Sequence, residues 1–292
     1  MATVKNVNIC YYRVEIEGQN DSAREFIKLC ERIYSTNMED RATEINYHNY
    51  RIREIQKDGE YWNGIVSHIR MDKDATKEDL HSGLDQSIPL EETEGLSEYT
   101  AFSYHSKLNT IGIQTNRHGI NASNLALLFA KIGKSSTAVI FTAWLLPDAY
   151  DRILSGKPIL WIKTKIAMPE NPAKFGAIDS LNNVIGFMGN VKATQLELYA
   201  RADRKVGLKM AAIRKIINFF QKNPGAAKRV EAKVQGIEKP INLNVDVLKD
   251  TRKVSLEETS RDIGVRDLLD AMQFSWRDKE SIVKQLVTDG YE

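Results

Sequence analysis

Two alternating runs, 47–56 and 61–71, flank the tetrapeptide Lys57-Asp58-Gly59-Glu60. Asp-Gly between period-two segments is a strong short-range signal for a β-hairpin. A strand pair closed this locally is antiparallel, because parallel neighbours need a crossover of a dozen or more residues. A second hairpin is predicted over 99–104 and 110–115, and the run Val7-Asn8-Ile9-Cys10-Tyr11-Tyr12-Arg13-Val14-Glu15-Ile16 has the same strand period.

Helices are predicted between these strands rather than in regular alternation with them. Asp21 or Ser22 can cap one whose Phe26, Leu29, Cys30 and Ile33 form a single apolar stripe. Another runs over 122–132 after the turn Asn116-Arg117-His118-Gly119 and stops at Gly133. Strands follow over 137–145 and 158–167, separated by a short helix with Pro147 in its first turn. Beyond them the pattern predicts a helix near 176–188, a strand over 192–202, a basic helix over 206–222 and strands near 229–235, 243–248 and 252–256. The tail, 265–287, is amphipathic and helical, with Leu268, Leu269, Met272, Phe274, Trp276, Ile282, Val283 and Leu286 available for burial. Hairpins with interspersed helices define an α+β class with mainly antiparallel sheets and a C-terminal helical tail. The expected regions are an N-terminal α+β part over 1–145, a basic α+β part over 146–260 and the tail over 261–292. An acidic loop over 72–98 lies within the first, with a short helical turn near 76–80.

With 292 residues, 42% hydrophobic and 27% charged, the chain can bury a core and matches an ordinary folded protein rather than a disordered one. No apolar run reaches the roughly 20 residues of a spanning helix, and the N-terminus lacks the apolar core of a signal peptide. Cytoplasmic location without membrane insertion is the expectation. The two cysteines, Cys10 and Cys30, read as buried small hydrophobes of a reducing compartment.

Charge is distributed unevenly. Residues 1–100 hold 12 Lys/Arg against 20 Asp/Glu, whereas 151–240 hold 17 against 7. A net +10 beside a net −8 suggests a surface that attracts a polyanion on one side. On a helical wheel Val206, Met210, Ile213, Ile217 and Phe220 occupy one arc of about 80°. The remaining arc carries Arg204, Lys205, Lys209, Arg214, Lys215 and Lys222 with scarcely an acid among them, although mixed signs would stabilise a merely structural helix better. Lys228, Arg229 and Lys233 continue the charge. Alternation over 158–167 sets Leu160, Ile162 and Ile166 on one side and Trp161, Lys163 and Lys165 on the other, an aromatic among ammonium groups suited to bases and phosphates. The competing explanation is that Trp161 lies under another element while the lysines snorkel. Lys205, Lys209, Arg214 and Lys215 are the preferred phosphate contacts, followed by Lys163, Lys165, Arg229, Lys233 and Trp161. The acidic loop is a solvated linker or a phosphate mimic that competes for the basic face.

Catalytic motifs are incomplete. Gly133-Lys134-Ser135-Ser136 has the ending of a phosphate-binding loop, but Leu128 stands where its first glycine belongs, and the segment follows a helix. Glu231-Ala232-Lys233 has the Glu-x-Lys spelling of metal-dependent nucleases and is the one catalytic alternative, with Pro147-Asp148 more than 80 residues away. The five histidines show no ligand spacing, and no metal or cofactor is expected; His118 sits in a turn, where function is commoner. A third alternative is an interaction protein with a basic docking face and the amphipathic tail as its docking helix.

The segments from Ile45-Asn46-Tyr47-His48-Asn49-Tyr50-Arg51-Ile52-Arg53-Glu54-Ile55 through Leu108-Asn109-Thr110-Ile111-Gly112-Ile113-Gln114-Thr115-Asn116-Arg117-His118-Gly119-Ile120 resemble the RexA-like phage-exclusion family. They are similar, at a greater distance, to the DNA-binding component of Kiwa-type defence systems. The order of elements is alike over roughly 5–222. The resemblance implies a prokaryotic or phage-encoded, cytoplasmic and homodimeric DNA-binding protein in phage exclusion or antiviral defence, acting with a second defence protein. It carries over no catalytic residue.

Overall fold

β1 (Val4–Ile16) is the strand on which the larger part of the molecule is assembled, because it pairs on both edges. The computed structural model describes residues 3–71, 75–79, 81–167, 179–203, 206–209, 213, 216, 227–242, 246–256 and 262–289. They form two compact units: Met1–Phe141 with Lys249–Lys284, and Thr142–Leu248 with Gln285–Glu292. The class is α+β with antiparallel sheets and a C-terminal helix, as the hairpin signals predict.

In the first unit α1 (Ser22–Ser35) follows β1. Asp21 caps it by accepting the Arg24 amide at 3.0 Å, and Phe26, Leu29, Cys30 and Ile33 are its buried residues. β2 (Ala42–Ile45), β3 (His48–Asp58) and β4 (Tyr61–Arg70) then form a meander. Asp58 pairs with Tyr61 across a two-residue turn in which Gly59 takes φ +56, a conformation glycine adopts without steric cost. β5 (Ala75–Glu78) and β6 (Asp85–Ile88) make a separate two-stranded hairpin, followed by β7 (Leu96–His105), β8 (Thr110–Gln114), α2 (Ala122–Ile132) and β9 (Val139–Ala143). The main sheet runs β14-β1-β8-β7-β4-β3-β2, with β9 also on β1; here β14 is Lys249–Ser255.

One face of this sheet packs on α1 and α2 around Phe26, whose ring lies 4.6 Å from Tyr104 and 4.9 Å from Phe129. The other face carries Tyr11, Asn63, Ser103 and Gly112 and receives α5 (Val265–Thr288) through Met272 and Trp276. The apolar stripe of the tail is thus used within the chain: Leu268, Ala271, Met272, Trp276 and Val283 are buried. Phe274, expected in that stripe, is 53% exposed and has the Arg277 guanidinium over its ring.

The helical turn expected near 76–80 is instead the β5–β6 hairpin. Asp79 stabilises its turn, accepting the amides of Ser82 at 2.8 Å and His81 at 3.1 Å, and the Ser82 hydroxyl at 2.9 Å. These bonds, led by the one from the Ser82 amide, hold its carboxyl below the usual carboxylate range. Asp here competes for backbone donors, which favours a turn over a helix.

The second unit contains α3 (Pro147–Leu154), β10 (Ile159–Ala167), α4 (Asp179–Asn190), β11 (Gln195–Arg201), β12 (Ala227–Val234) and β13 (Ile241–Asn242). Its sheet order is β11-β10-β12-β13. Ile162, Ile166, Val230, Ala232 and Val234 form its core with Ala149 and Ile153 of α3 and Met188 of α4. The boundaries depart from those read in sequence at the C-terminal end, where β14 and most of the tail rejoin the first unit through β1.

Candidate nucleic-acid interface

β10 lies between β11 and β12 in the four-stranded sheet, and its register with both defines the face opposite the helices. Trp161 stands between Arg201 on β11 and Lys233 on β12. Two residues along, Lys163 stands between Tyr199 and Glu231; two further, Lys165 stands between Glu197 and Arg229. Directly opposed residues of an antiparallel pair share a face, so three rows of three register positions form one surface. The chain produces it because Ile162, Thr164 and Ile166 alternate with these residues and are buried on the other side. A bulge at Leu160 shifts the phase: Ile159 is fully buried and Leu160 only half-buried, so the expected Leu160 position in the apolar row is taken by Ile159.

The surface is accessible. Tyr199 is 54% exposed, Glu197 and Arg201 are exposed, and Trp161, Lys163, Lys165, Glu231 and Lys233 are intermediate. The Trp161 and Tyr199 rings lie 5.9 Å apart, tilted by 45°. The Lys163 ammonium meets Glu197 at 2.7 Å, and that of Lys233 donates to the Glu238 carbonyl. Cations, two aromatic rings and two carboxylates therefore share a helix-backed sheet face, chemistry suited to phosphates and flat rings.

Of the sequence-predicted contacts, the structure brings Trp161, Lys163, Lys165 and Lys233 together, with Arg229 at the register position opposite Lys165. Lys209 is described and exposed; its carbonyl accepts the Ile213 amide at 3.1 Å. Lys205, Arg214 and Lys215 lie outside the described residues. Ile213 is buried as its stripe requires, but Val206 is not: it is 80% exposed in a turn in which the Asp203 carbonyl accepts the amides of Val206 and Gly207. Tyr199 and Arg201 were not among the predicted contacts. Their signal was the alternation of Leu196, Leu198 and Ala200 with Glu197, Tyr199 and Arg201, the same pattern that singles out Trp161.

The residues of the alternative sites lie on several different elements. Glu231 and Lys233 lie two apart on β12, and Asp148, in the first turn of α3, pairs with Arg152 at 2.9 Å. Among the described residues no three His, Cys, Asp or Glu side chains gather so as to hold a metal. Gly133 ends α2, and the Ser135 hydroxyl donates to the Thr137 carbonyl in the turn to β9. The His118 carbonyl accepts a 2.7 Å hydrogen bond from His68 Nδ1, and the His68 ring packs against Tyr50 and His48. Cys10 and Cys30 are unpaired, and burial pushes the Cys30 thiol up.

The chain is thus an antiparallel α+β protein in which a sheet with two covered faces accompanies a smaller one that presents a basic, aromatic face. It belongs to a family of unknown function, DUF6731, whose model matches residues 2–275. No curated protein matches it. Among the described residues no helix is long and apolar enough to cross a membrane.

Proposed function

We propose that this is a non-enzymatic, largely sequence-nonspecific DNA-binding protein that docks the phosphate backbone on the β11-β10-β12 face. The observation that carries the reading is the grid in which Lys163, Lys165, Arg201 and Lys233 surround Trp161 and Tyr199. Lys209 and the sequence-predicted Lys205, Arg214, Lys215 and Arg229 extend the cationic contribution. A cytoplasmic location, a homodimeric state and a role in phage exclusion or anti-phage defence complete the reading, supported by the resemblance carried by 45–55 and 108–120.

Four cations meeting four phosphates give a salt slope of about −3.6, so raising salt from about 50 to 200 mM should weaken binding about 150-fold. The test is fluorescence anisotropy of the full chain with a labelled duplex that carries a single-stranded tail. The Lys163→Glu/Lys165→Glu variant should bind more weakly at every sequence and lose about half of the slope. Binding unchanged in that variant, or no binding at low salt, overturns the reading. Magnesium-dependent cutting of the probe, lost in Glu231→Ala, would replace it with the nuclease.

A further inference from the structure

We infer that the DNA seated on this face is single-stranded, with two of its bases stacked on Trp161 and Tyr199; the inference rests on the function proposed above and names the form of its ligand. Two observations separate single-stranded from duplex DNA. The first is where the aromatics lie. Trp161 and Tyr199 are on neighbouring strands, one register row apart, and the other seven of the nine register positions are charged. Tyr199 leaves more than half of its surface to solvent. In a duplex the base faces are covered by their stacked neighbours, so exposed rings inside a phosphate-binding surface gain little from it. Bases of a single strand can splay onto such rings while the backbone follows the charges.

The second is how the charges surround the rings. Arg201 and Lys233 flank Trp161 from the two outer strands, and Lys163 lies beside Tyr199. Each ring therefore has a cation within one strand spacing, about 4.7–4.9 Å, and a stacked base and its phosphate can be met by adjacent positions. Its rings and cations lie side by side across three strands. Glu197 and Glu231 each hold one lateral position in the other two rows, leaving the Trp161 row as the one without an acid.

The chain supplies its own reporter. Of its four tryptophans, Trp62 and Trp144 are 3% exposed and Trp276 1%, so a ligand on the sheet face alters the emission of Trp161 alone. The experiment titrates the full chain at 50 mM salt with a 20-nucleotide oligothymidylate and, separately, with a blunt 20-base-pair duplex, following both tryptophan emission and anisotropy. The expected result is oligothymidylate binding at least tenfold tighter than the duplex, with quenched emission. Tyr199→Ala and Trp161→Ala should each weaken it by about fivefold to a hundredfold. Tyr199→Phe should retain binding, and Trp161→Phe should retain binding but abolish the quenching; these two variants keep the test decisive if an alanine variant fails to fold. Equal or tighter duplex binding, or oligothymidylate affinity untouched by Tyr199→Ala, overturns the single-strand inference and leaves the DNA-binding function standing. Binding of neither probe overturns both.

Discussion

Removing Trp276 should unfasten α5 from the first unit's sheet. The indole is 1% exposed, meets Tyr11 edge-to-face at 4.9 Å and 84°, and donates from Nε1 to the Ser103 carbonyl at 3.2 Å. Tyr61 and His105 lie 5.7 and 5.6 Å from its ring. Truncating a buried Trp to Ala costs about 3–5 kcal/mol. Within that cost the aromatic pair accounts for about 0.5–1.5 kcal/mol beyond area and the lost hydrogen bond for about 1 kcal/mol. Because three rings would surround the void and Gly112 has no side chain to fill it, Trp276→Ala should fall near the upper end, about 4–5 kcal/mol. With a urea slope of about 2–3 kcal/mol/M, the midpoint should drop by roughly 1.5–2 M. Trp276→Phe keeps a ring but leaves the Ser103 carbonyl without this donor, so about 1–2 kcal/mol is expected. Urea titration of the full chain, followed by circular dichroism, measures both. An alanine variant losing under about 1.5 kcal/mol, or a phenylalanine variant losing as much as alanine, would refute this account of how α5 is held.

Acid should weaken the same unit through His105. Desolvation lowers its pKa against the pull of Glu280 and Glu60, with Lys284 and Lys107 adding to the lowering. As pH falls through the ordinary value near 6.5, the unfolded chain takes up a proton that the folded one resists, so stability declines until the depressed folded pKa is passed. Urea midpoints between pH 7.5 and 5.5 should show this decline, flattened in His105→Gln. Gly64→Ala would set a Cβ 2.4 Å from the Glu54 carbonyl and the Phe102 ring; a loss of about 1–3 kcal/mol is expected from such overpacking, and an unchanged thermal midpoint would contradict it. Glu197→Gln should alter stability by less than about 1 kcal/mol, since its pair with Lys163 is half-exposed. On the proposed function it should tighten DNA binding at low salt with little change in the salt slope, because Lys163, already one of the four phosphate contacts, no longer has to leave Glu197; weaker binding would count against that role for Lys163.

Local pattern carried most of the elements and little of their assembly. The α1 stripe was readable because a cap at Asp21 and four apolar positions agree, and the β3–β4 hairpin because Asp58 and Gly59 sit at its turn. The β5–β6 hairpin was not, because its turn depends on Asp79 bonding residues two and three ahead. The pairing of β14 with β1 joins residues almost the whole chain apart, and no periodicity records a partner at that distance. In the candidate site, the Trp161, Lys163 and Lys165 alternation was legible on β10. Its neighbours were not, since register decides which residues of β11 and β12 stand beside them.

Register also explains how a sheet can hold so much positive charge. Like charges directly opposite each other destabilise a strand pair, yet Arg201 and Lys233 are separated by the neutral indole of Trp161, and Lys163 by Tyr199 and Glu231. Among these nine positions the one like-charged opposition is Lys165 with Arg229, and Glu197 stands on the other side of Lys165. The rings and acids thus have a folding role as spacers that is independent of any ligand. That role makes the single substitutions unequal. Replacing Trp161 removes both a stacking platform and the spacer between two cations, so its effect on binding mixes two causes. Tyr199 has Lys163 as its one opposed neighbour in the grid and is the more exposed ring. Its removal reports on stacking with the least disturbance of the charges, which makes Tyr199 the position where a ligand-binding role and a structural one come apart.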